Sequence, residues 1–280
     1  MRCARCSNVS HIVTIMLADF IKLLCLGGMV VVMLFTVTWL LSLKLNNFSF
    51  VDITWSYSLA SLVPIYVLLG KGQGIRKIVF GLLALAWSLR LGTYLLRRIR
   101  RHHPSEDARY QVLRAKWKSH LQRNFFWFFQ AQAALILLLS VPLLLACLNP
   151  QPALGLIEWI GMGVTVISLM GEAVADAQMG WFKRRGTSSQ EVCRVGLWRY
   201  SRHPNYFFES LVWWGFWLMA CGSPWGWVTV YAPLLMLYFL LRVTGIPLTE
   251  ACAVASKGEA YRAYQRSTSA FIPWFPKSSS

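Results

Sequence analysis

The sequence predicts an all-α, polytopic integral membrane protein of about seven transmembrane helices, with no Rossmann domain. Three observations lead there. Only 14% of the 280 residues are charged while 56% are hydrophobic, and the mean hydropathy is +0.47. Apolar runs near the ~20-residue length of a spanning helix recur along the whole chain. The basic residues, 28 against 11 acidic ones, gather between those runs. In a soluble protein a formal charge of +17 points to nucleic acid. Here topology and anionic lipid account for it, so membrane lipids are expected as partners and nucleic acid is not.

The first run, Leu23–Leu43, is too long for a signal-peptide core and reads as a retained anchor. Residues 1–22 form an N-terminal segment ahead of it, and 23–280 a single membrane domain. Cys3 and Cys6 make a lone Cys-x-x-Cys with no second pair, so an unstructured, reduced terminus is expected rather than a metal site. The other runs are Trp55–Leu69, Ile78–Leu96, Phe125–Leu148, Leu154–Met179, Tyr206–Cys221 and Trp227–Val243. Each is expected to be helical, because an open strand cannot satisfy its backbone in lipid.

The connections are unequal. Arg97–Arg123, Lys183–Arg202 and the tail after Lys257 are basic, whereas Asn149–Ala153 and Gly222–Gly226 carry no charge. The positive-inside rule then puts the basic connections and the C-terminus in the cytoplasm and the N-terminus outside, a bacterial inner membrane being the expected setting. Lys71, Arg76 and Lys77 run against that scheme. Arg97–Arg123 reads as a solvated basic face at lipid headgroups. Gly258–Arg266 reads as a short amphipathic helix anchored at the interface, with Pro273 and Pro276 stopping it. Ser278–Ser280 is the one low-complexity stretch.

Chemistry concentrates in Leu197-Trp-Arg-Tyr-Ser-Arg-His-Pro-Asn-Tyr-Phe-Phe-Glu209, at the mouth of the sixth run. Pro204 suits the first turn of a helix, and Asn205 and Glu209 then share one face. An unpaired carboxylate in hydrocarbon is costly, so Glu209 implies a use. With Arg199, Arg202 and His203 beside it, the face suits an anionic cofactor. In the fifth run Glu172 and Asp176 lie about 40° apart and Lys183 about 20° from Glu172, one stripe of a single helix. It reads either as ion-pair glue between helices or as the wall of a ligand cavity. Trp87, Arg90, Tyr94 and Arg98 share a face of the third run, where Arg90 either snorkels or grips a phosphate. Asp52 and Gln130 are further polar groups, Gln130 suiting a helix–helix hydrogen bond. Gly155, Gly161, Gly163 and Gly171 suggest close helix packing, since neither a dinucleotide fingerprint nor a P-loop is present.

Leu197–Glu209, the Glu172/Asp176/Lys183 stripe and Ser269-Ala-Phe-Ile-Pro-Trp274 together resemble the steroid 5-alpha-reductase family, most closely its uncharacterised bacterial-type branch. The likeness runs from Asp52 to Pro273. It implies a seven-helix fold holding NADPH, with residues 154–275 as the cofactor-binding half, and reduction of a carbon–carbon double bond conjugated to a carbonyl in a steroid- or lipid-like substrate. On that reading, and from the clustering of polar groups at the ends of the third, fifth and sixth runs, Arg90, Lys183, Arg199, Arg202 and Arg242 are expected to neutralise phosphates. Asp176, Asn205 and Glu209 would hydrogen-bond ribose or nicotinamide, with Glu172, Tyr200 and His203 completing the set. Tyr94 or Asp52 would polarise the carbonyl or supply a proton. The family's Tyr is replaced by Trp87, and its late His-rich stretch by Val243–Glu250, which leaves the substrate open. The Arg-His-Pro-Asn-Tyr core also resembles the isoprenylcysteine carboxyl methyltransferases, which use S-adenosylmethionine. Phe207, Phe208 and Glu209, together with the acidic stripe, tilt the comparison toward a reductase.

Overall fold

The structure is a computed structural model and describes residues 2–185 and 191–277; Ser278–Ser280 and part of the Lys183–Arg202 connection lie outside them. The all-α expectation holds. Eleven α-helices follow in order: α1 Arg2–Lys44, α2 Phe50–Leu69, α3 Gly74–His102, α4 Ala108–Lys116, α5 Leu121–Leu139, α6 Val141–Leu148, α7 Leu156–Arg184, α8 Pro204–Ala220, α9 Tyr231–Tyr238, α10 Ile246–Lys257 and α11 Glu259–Ser267. No strand occurs among the described residues, only an isolated parallel bridge between Ser201 and Ser269. Among the described residues six spans are long and apolar enough to cross a membrane: Ile15–Lys44, Phe50–Leu69, Gly74–Arg101, Lys118–Leu148, Leu156–Arg184 and Gly226–Lys257. Helix α8, the sixth apolar run of the sequence, has 17 residues, about 25 Å at 1.5 Å per residue, slightly short of a full crossing.

Element boundaries differ from the sequence reading, most at the two ends of the chain and at Ser140, where the predicted run Phe125–Leu148 divides into α5 and α6. Helix α1 begins at Arg2 and takes in Cys3 and Cys6, because no Gly or Pro between Arg2 and Phe20 stops a helix propagating back from the apolar stretch. The last run is not one regular helix. After α9 comes a π-helical turn, Phe239–Val243, and Gly245 then lets the chain close on itself: a Cβ there would sit 2.3 Å from the Leu240 carbonyl oxygen.

The chain divides into two compact units, one comprising residues up to Leu154 with Gly222–Gly226, the other Gly155–Cys221 with the chain from Trp227 on. In the first, α2 packs on α1 and α3, and α1 on α5. Phe48 stacks on Phe125 at 3.6 Å, and Trp55 meets Trp87 edge-on at 6.0 Å. Polar bonds tie these helices where lipid offers no hydrophobic drive: Thr38 to Thr54 at 2.7 Å, Tyr66 to Ser140 at 3.1 Å, and Gln130 donating to Thr36 at 3.2 Å, the interhelical role its sequence position suggests.

The Arg97–Arg123 connection is not simply a solvated basic face. Its acids and three of its arginines are paired, and Glu106 and Arg114 fasten it to the α1–α2 turn. Glu106 accepts from Phe48 N at 2.7 Å and from Arg114, which also reaches Asn46. Asp107 caps α4 through Arg109 N and accepts from Arg98 at 2.6 Å and Arg109 Nε at 2.9 Å. Burial raises the Asp107 carboxyl, but the hydrogen bonds and charges of Arg109 and Arg98 outweigh it and hold its pKa below the ordinary value. A depressed carboxylate stabilises the fold at neutral pH and loses that contribution as pH falls through its folded pKa. Wild type is therefore expected to melt above Asp107→Asn at pH 7, and the gap to close on acidification; thermal unfolding in detergent across pH 7 to 3 checks it.

The cations that oppose the positive-inside scheme are also engaged. Arg76, 2% exposed, donates to the carbonyls of Gln151 and Ala153. Lys77 donates to Gly70 O at 2.7 Å, and Lys71 pairs with Asp19 at 2.9 Å.

In the second unit α7 and α8 pack antiparallel over a stripe of small residues. A Cβ on Gly161 would lie 2.7 Å from Met219 N, and one on Gly215 2.2 Å from Thr165 Oγ1. Gly171 likewise seats the Phe208 ring. Gly163 faces open space and Gly155 is the N-cap of α7, so neither serves packing as the sequence suggested. Two substitutions on one helix should therefore act in opposite directions. Gly161→Ala is expected to cost about 2–3 kcal/mol by overpacking against backbone, and Gly163→Ala to gain up to about 1 kcal/mol of helix propensity. Melting temperatures of the two variants read this directly.

Candidate functional site

The site grows from the register of α7 on α8. Gly171 opposite Phe208 brings the polar end of α7 level with the start of α8. The chain between them is fixed residue by residue. Gln178 Oε1 accepts from Leu197 N at 2.9 Å, and Trp198, 7% exposed, donates its indole N–H to the Ala175 carbonyl at 2.9 Å. Residues 200–202 then run beside the C-terminal segment. Arg202 N donates to Ser269 O at 2.8 Å, Trp274 N to Tyr200 O at 2.9 Å, and Ser201 Oγ to Phe271 O at 2.8 Å. From α11, Tyr264 donates to the carbonyls of Trp198 and Ser201; burial pushes its phenol above the ordinary value, so it stays a donor. Tyr261 and Tyr264 are 6% and 2% exposed. They hold this turn rather than anchoring α11 at a membrane surface, as the helical pattern alone suggests.

Within the turn the polar residues divide by task. Arg202 donates Nε to Glu250 Oε1 at 2.6 Å and Nη1 to the carbonyls of Gln265 and Thr268 at 2.9 and 2.6 Å. His203 Nε2 meets the same Glu250 oxygen at 3.2 Å, its ring stacks on Tyr206, and Gln265 donates to the other Glu250 oxygen at 2.8 Å. The donors that sequence reading offered to a phosphate are thus committed to one carboxylate and the end of α11. Glu250, Gln265 and Gln178 were missed. An acid in an apolar stretch is the one signal that could have found Glu250.

Pro204 opens α8 as expected, with Asn205 and Glu209 one turn apart. Glu209 is 6% exposed and accepts from the Trp213 indole at 3.0 Å. Asn205 Oδ1 is buried, and no described residue donates to it. A buried acceptor without a donor costs about 1–3 kcal/mol, a cost a ligand N–H or O–H would remove.

On α7, Glu172 is 4% exposed, Asp176 half-buried and Lys183 exposed, and none of the three lacks a partner. Arg199 is exposed at the end of a 3₁₀ turn, Tyr200 is half-buried against Phe275, and Arg242 is exposed within the π-helical turn. Of the cations that sequence reading offered to a phosphate in this unit, Lys183, Arg199 and Arg242 keep the exposed disposition a phosphate needs.

Arg90, Tyr94 and Asp52 belong to the first unit. Arg90 is half-buried beside the fully buried Trp87, and Tyr94 is 42% exposed. Asp52 accepts from Arg109 through Oδ2 and from Tyr110 Oη through Oδ1, both at 2.6 Å. These bonds use it to seat the α3–α5 connection. Among the described residues no three His, Cys, Asp or Glu side chains converge as a metal site would require.

A family model described as a protein of unknown function, DUF1295, matches residues 38–268. The chain belongs to the DUF1295 family. That family is related to the steroid 5-alpha-reductase-like proteins, and the match spans both units. An uncharacterised protein of Schizosaccharomyces pombe is 26% identical over 266 residues, covering 85% of this chain and 76% of the relative. No solved structure matches.

Proposed function

We propose that the second unit binds NADPH and that the protein is a membrane-embedded reductase of a carbon–carbon double bond conjugated to a carbonyl in a lipid-like substrate. The observation that carries the reading is the buried, donorless Asn205 Oδ1, one turn from the buried Glu209 at the mouth of an apolar helix. The donorless Asn205 oxygen asks for a ligand N–H or O–H, and a nicotinamide carboxamide or ribose hydroxyls carry them. When bound, the cofactor supplies a hydride. The chain's own part is to hold it: Asn205 and Glu209 accept from the buried head, while Lys183, Arg199 and Arg242 neutralise phosphate at the exposed end. Arg202 and His203 serve by keeping the turn that aims Asn205. We place the C-terminus in the cytoplasm, because Lys71, Arg76 and Lys77, which count against that orientation, have protein partners.

Thermal unfolding of purified protein with NADPH or S-adenosylmethionine tests the ligand class. NADPH at 100 times its dissociation constant is expected to stabilise by about 2.7 kcal/mol. Protection by S-adenosylmethionine alone would instead establish a methyltransferase.

A further inference from the structure

The segment after α11 turns large apolar side chains away from the protein. Ile272, Trp274 and Phe275 are 61, 70 and 77% exposed. Their backbone is tied down on both sides. Trp274 N donates to Tyr200 O at 2.9 Å, Ser201 Oγ to Phe271 O at 2.8 Å, and Lys277 N to Ser267 O at 2.8 Å. Pro273 and Pro276 each fix their own φ. Phe271 turns the other way, its ring 5.8 Å from that of Phe207. Three bulky apolar groups held rigidly in the open are unfavourable in water and mark a surface that another phase or partner covers.

The depth of the segment follows from what holds it. Trp198 donates to Ala175 O and Leu197 N to Gln178 Oε1, so the turn it pairs with lies level with those residues of α7. That helix, apolar enough to cross a membrane, runs on to Arg184, about 9–14 Å farther at 1.5 Å per residue. The turn and the tail are thus level with the last turns of a spanning helix, not beyond its end. Those last turns have the make-up of a membrane boundary. Trp181 is exposed, the Arg185 guanidinium lies 3.4 Å from its ring centre, and Lys183 and Arg184 close the helix. An exposed Trp274 within about one helical turn of that height continues the pattern of an aromatic belt, which commits the surface to lipid rather than to a second copy of the chain.

We propose that Ile272–Phe275 is a membrane-surface wedge, its three exposed apolar side chains inserted at the boundary between headgroups and acyl chains of the adjoining leaflet. Aromatic rings suit that layer, where one edge meets hydrocarbon and the other the polar region. The hydrogen bonds to Tyr200 and Ser201 then hold the turn ahead of α8 at the same depth. This is the anchoring role that α11, with its tyrosines turned inward, does not fill.

Photo-crosslinking tests the wedge. p-Benzoylphenylalanine replaces Phe275 in one full-length protein and Arg262, on the exposed face of α11, in another. Both are reconstituted in phosphatidylcholine vesicles without nucleotide and irradiated, and intact mass identifies what each probe reached. Position 275 is expected to gain the mass of one phosphatidylcholine at least fivefold more often than position 262. A chain-to-chain crosslink as the main product at 275 assigns the surface to a second copy and overturns the proposal. Equal lipid adducts at the two positions, or none at 275, overturn it as well. The same probe in place of Trp274 repeats the reading from the neighbouring side chain, so a variant that fails to fold does not decide the outcome. No cofactor enters the readout, so the wedge and the NADPH reading stand or fall separately.

Discussion

Arg202→Met is expected to destabilise the protein by about 3–5 kcal/mol, the largest effect of any single change in the turn. Its guanidinium is 10% exposed and bonds one carboxylate and two carbonyls. Removing it leaves Glu250, 16% exposed, with a charge only His203 and Gln265 still address. Breaking a buried pair from one side costs more than removing both partners. Arg202→Met/Glu250→Gln is therefore expected to melt above Arg202→Met alone. Arg202→Lys should not rescue, because an ammonium cannot span Glu250 and the end of α11 in the guanidinium geometry. Melting temperatures of these four proteins and of Glu250→Gln alone check this; strictly additive losses in the cycle would show that the two side chains are not coupled.

Asn205→Leu is expected to act with opposite sign on stability and on binding. Without ligand, removing a buried acceptor that has no donor relieves part of the roughly 1–3 kcal/mol it costs, so the variant should melt at or above wild type. With ligand, the contact that acceptor exists to make is gone, and a loss of about 2 kcal/mol corresponds to roughly 30-fold in affinity. A purely structural Asn would show the reverse, with lower stability and unaltered binding. Glu209→Gln keeps an acceptor near Trp213 but loses the charge, and should weaken binding with little change in fold.

The helical class and the apolar spans were legible because lipid permits few backbone solutions and length alone marks a crossing. Pro204 and the Asn205–Glu209 spacing were legible too, since a helix start and an i, i+4 face are local facts. What escaped was long-range. Nothing near Arg202 in sequence says that Glu250, 48 residues away, claims its guanidinium. Nothing near Asp52 says that Arg109 and Tyr110, 57 and 58 residues on, occupy its oxygens. Charge runs such as Arg97–Arg123 look solvated because their partners lie on a distant turn.

The central claim is that Asn205 and Glu209 hold the head of NADPH. Equilibrium titration of NADPH into wild type, Asn205→Leu and Glu209→Gln, each purified in the same nanodisc, tests it most directly. The account expects saturable binding to wild type and affinity weaker by roughly 30-fold in Asn205→Leu. NADPH binding of equal strength in all three proteins, or none to wild type, would contradict it.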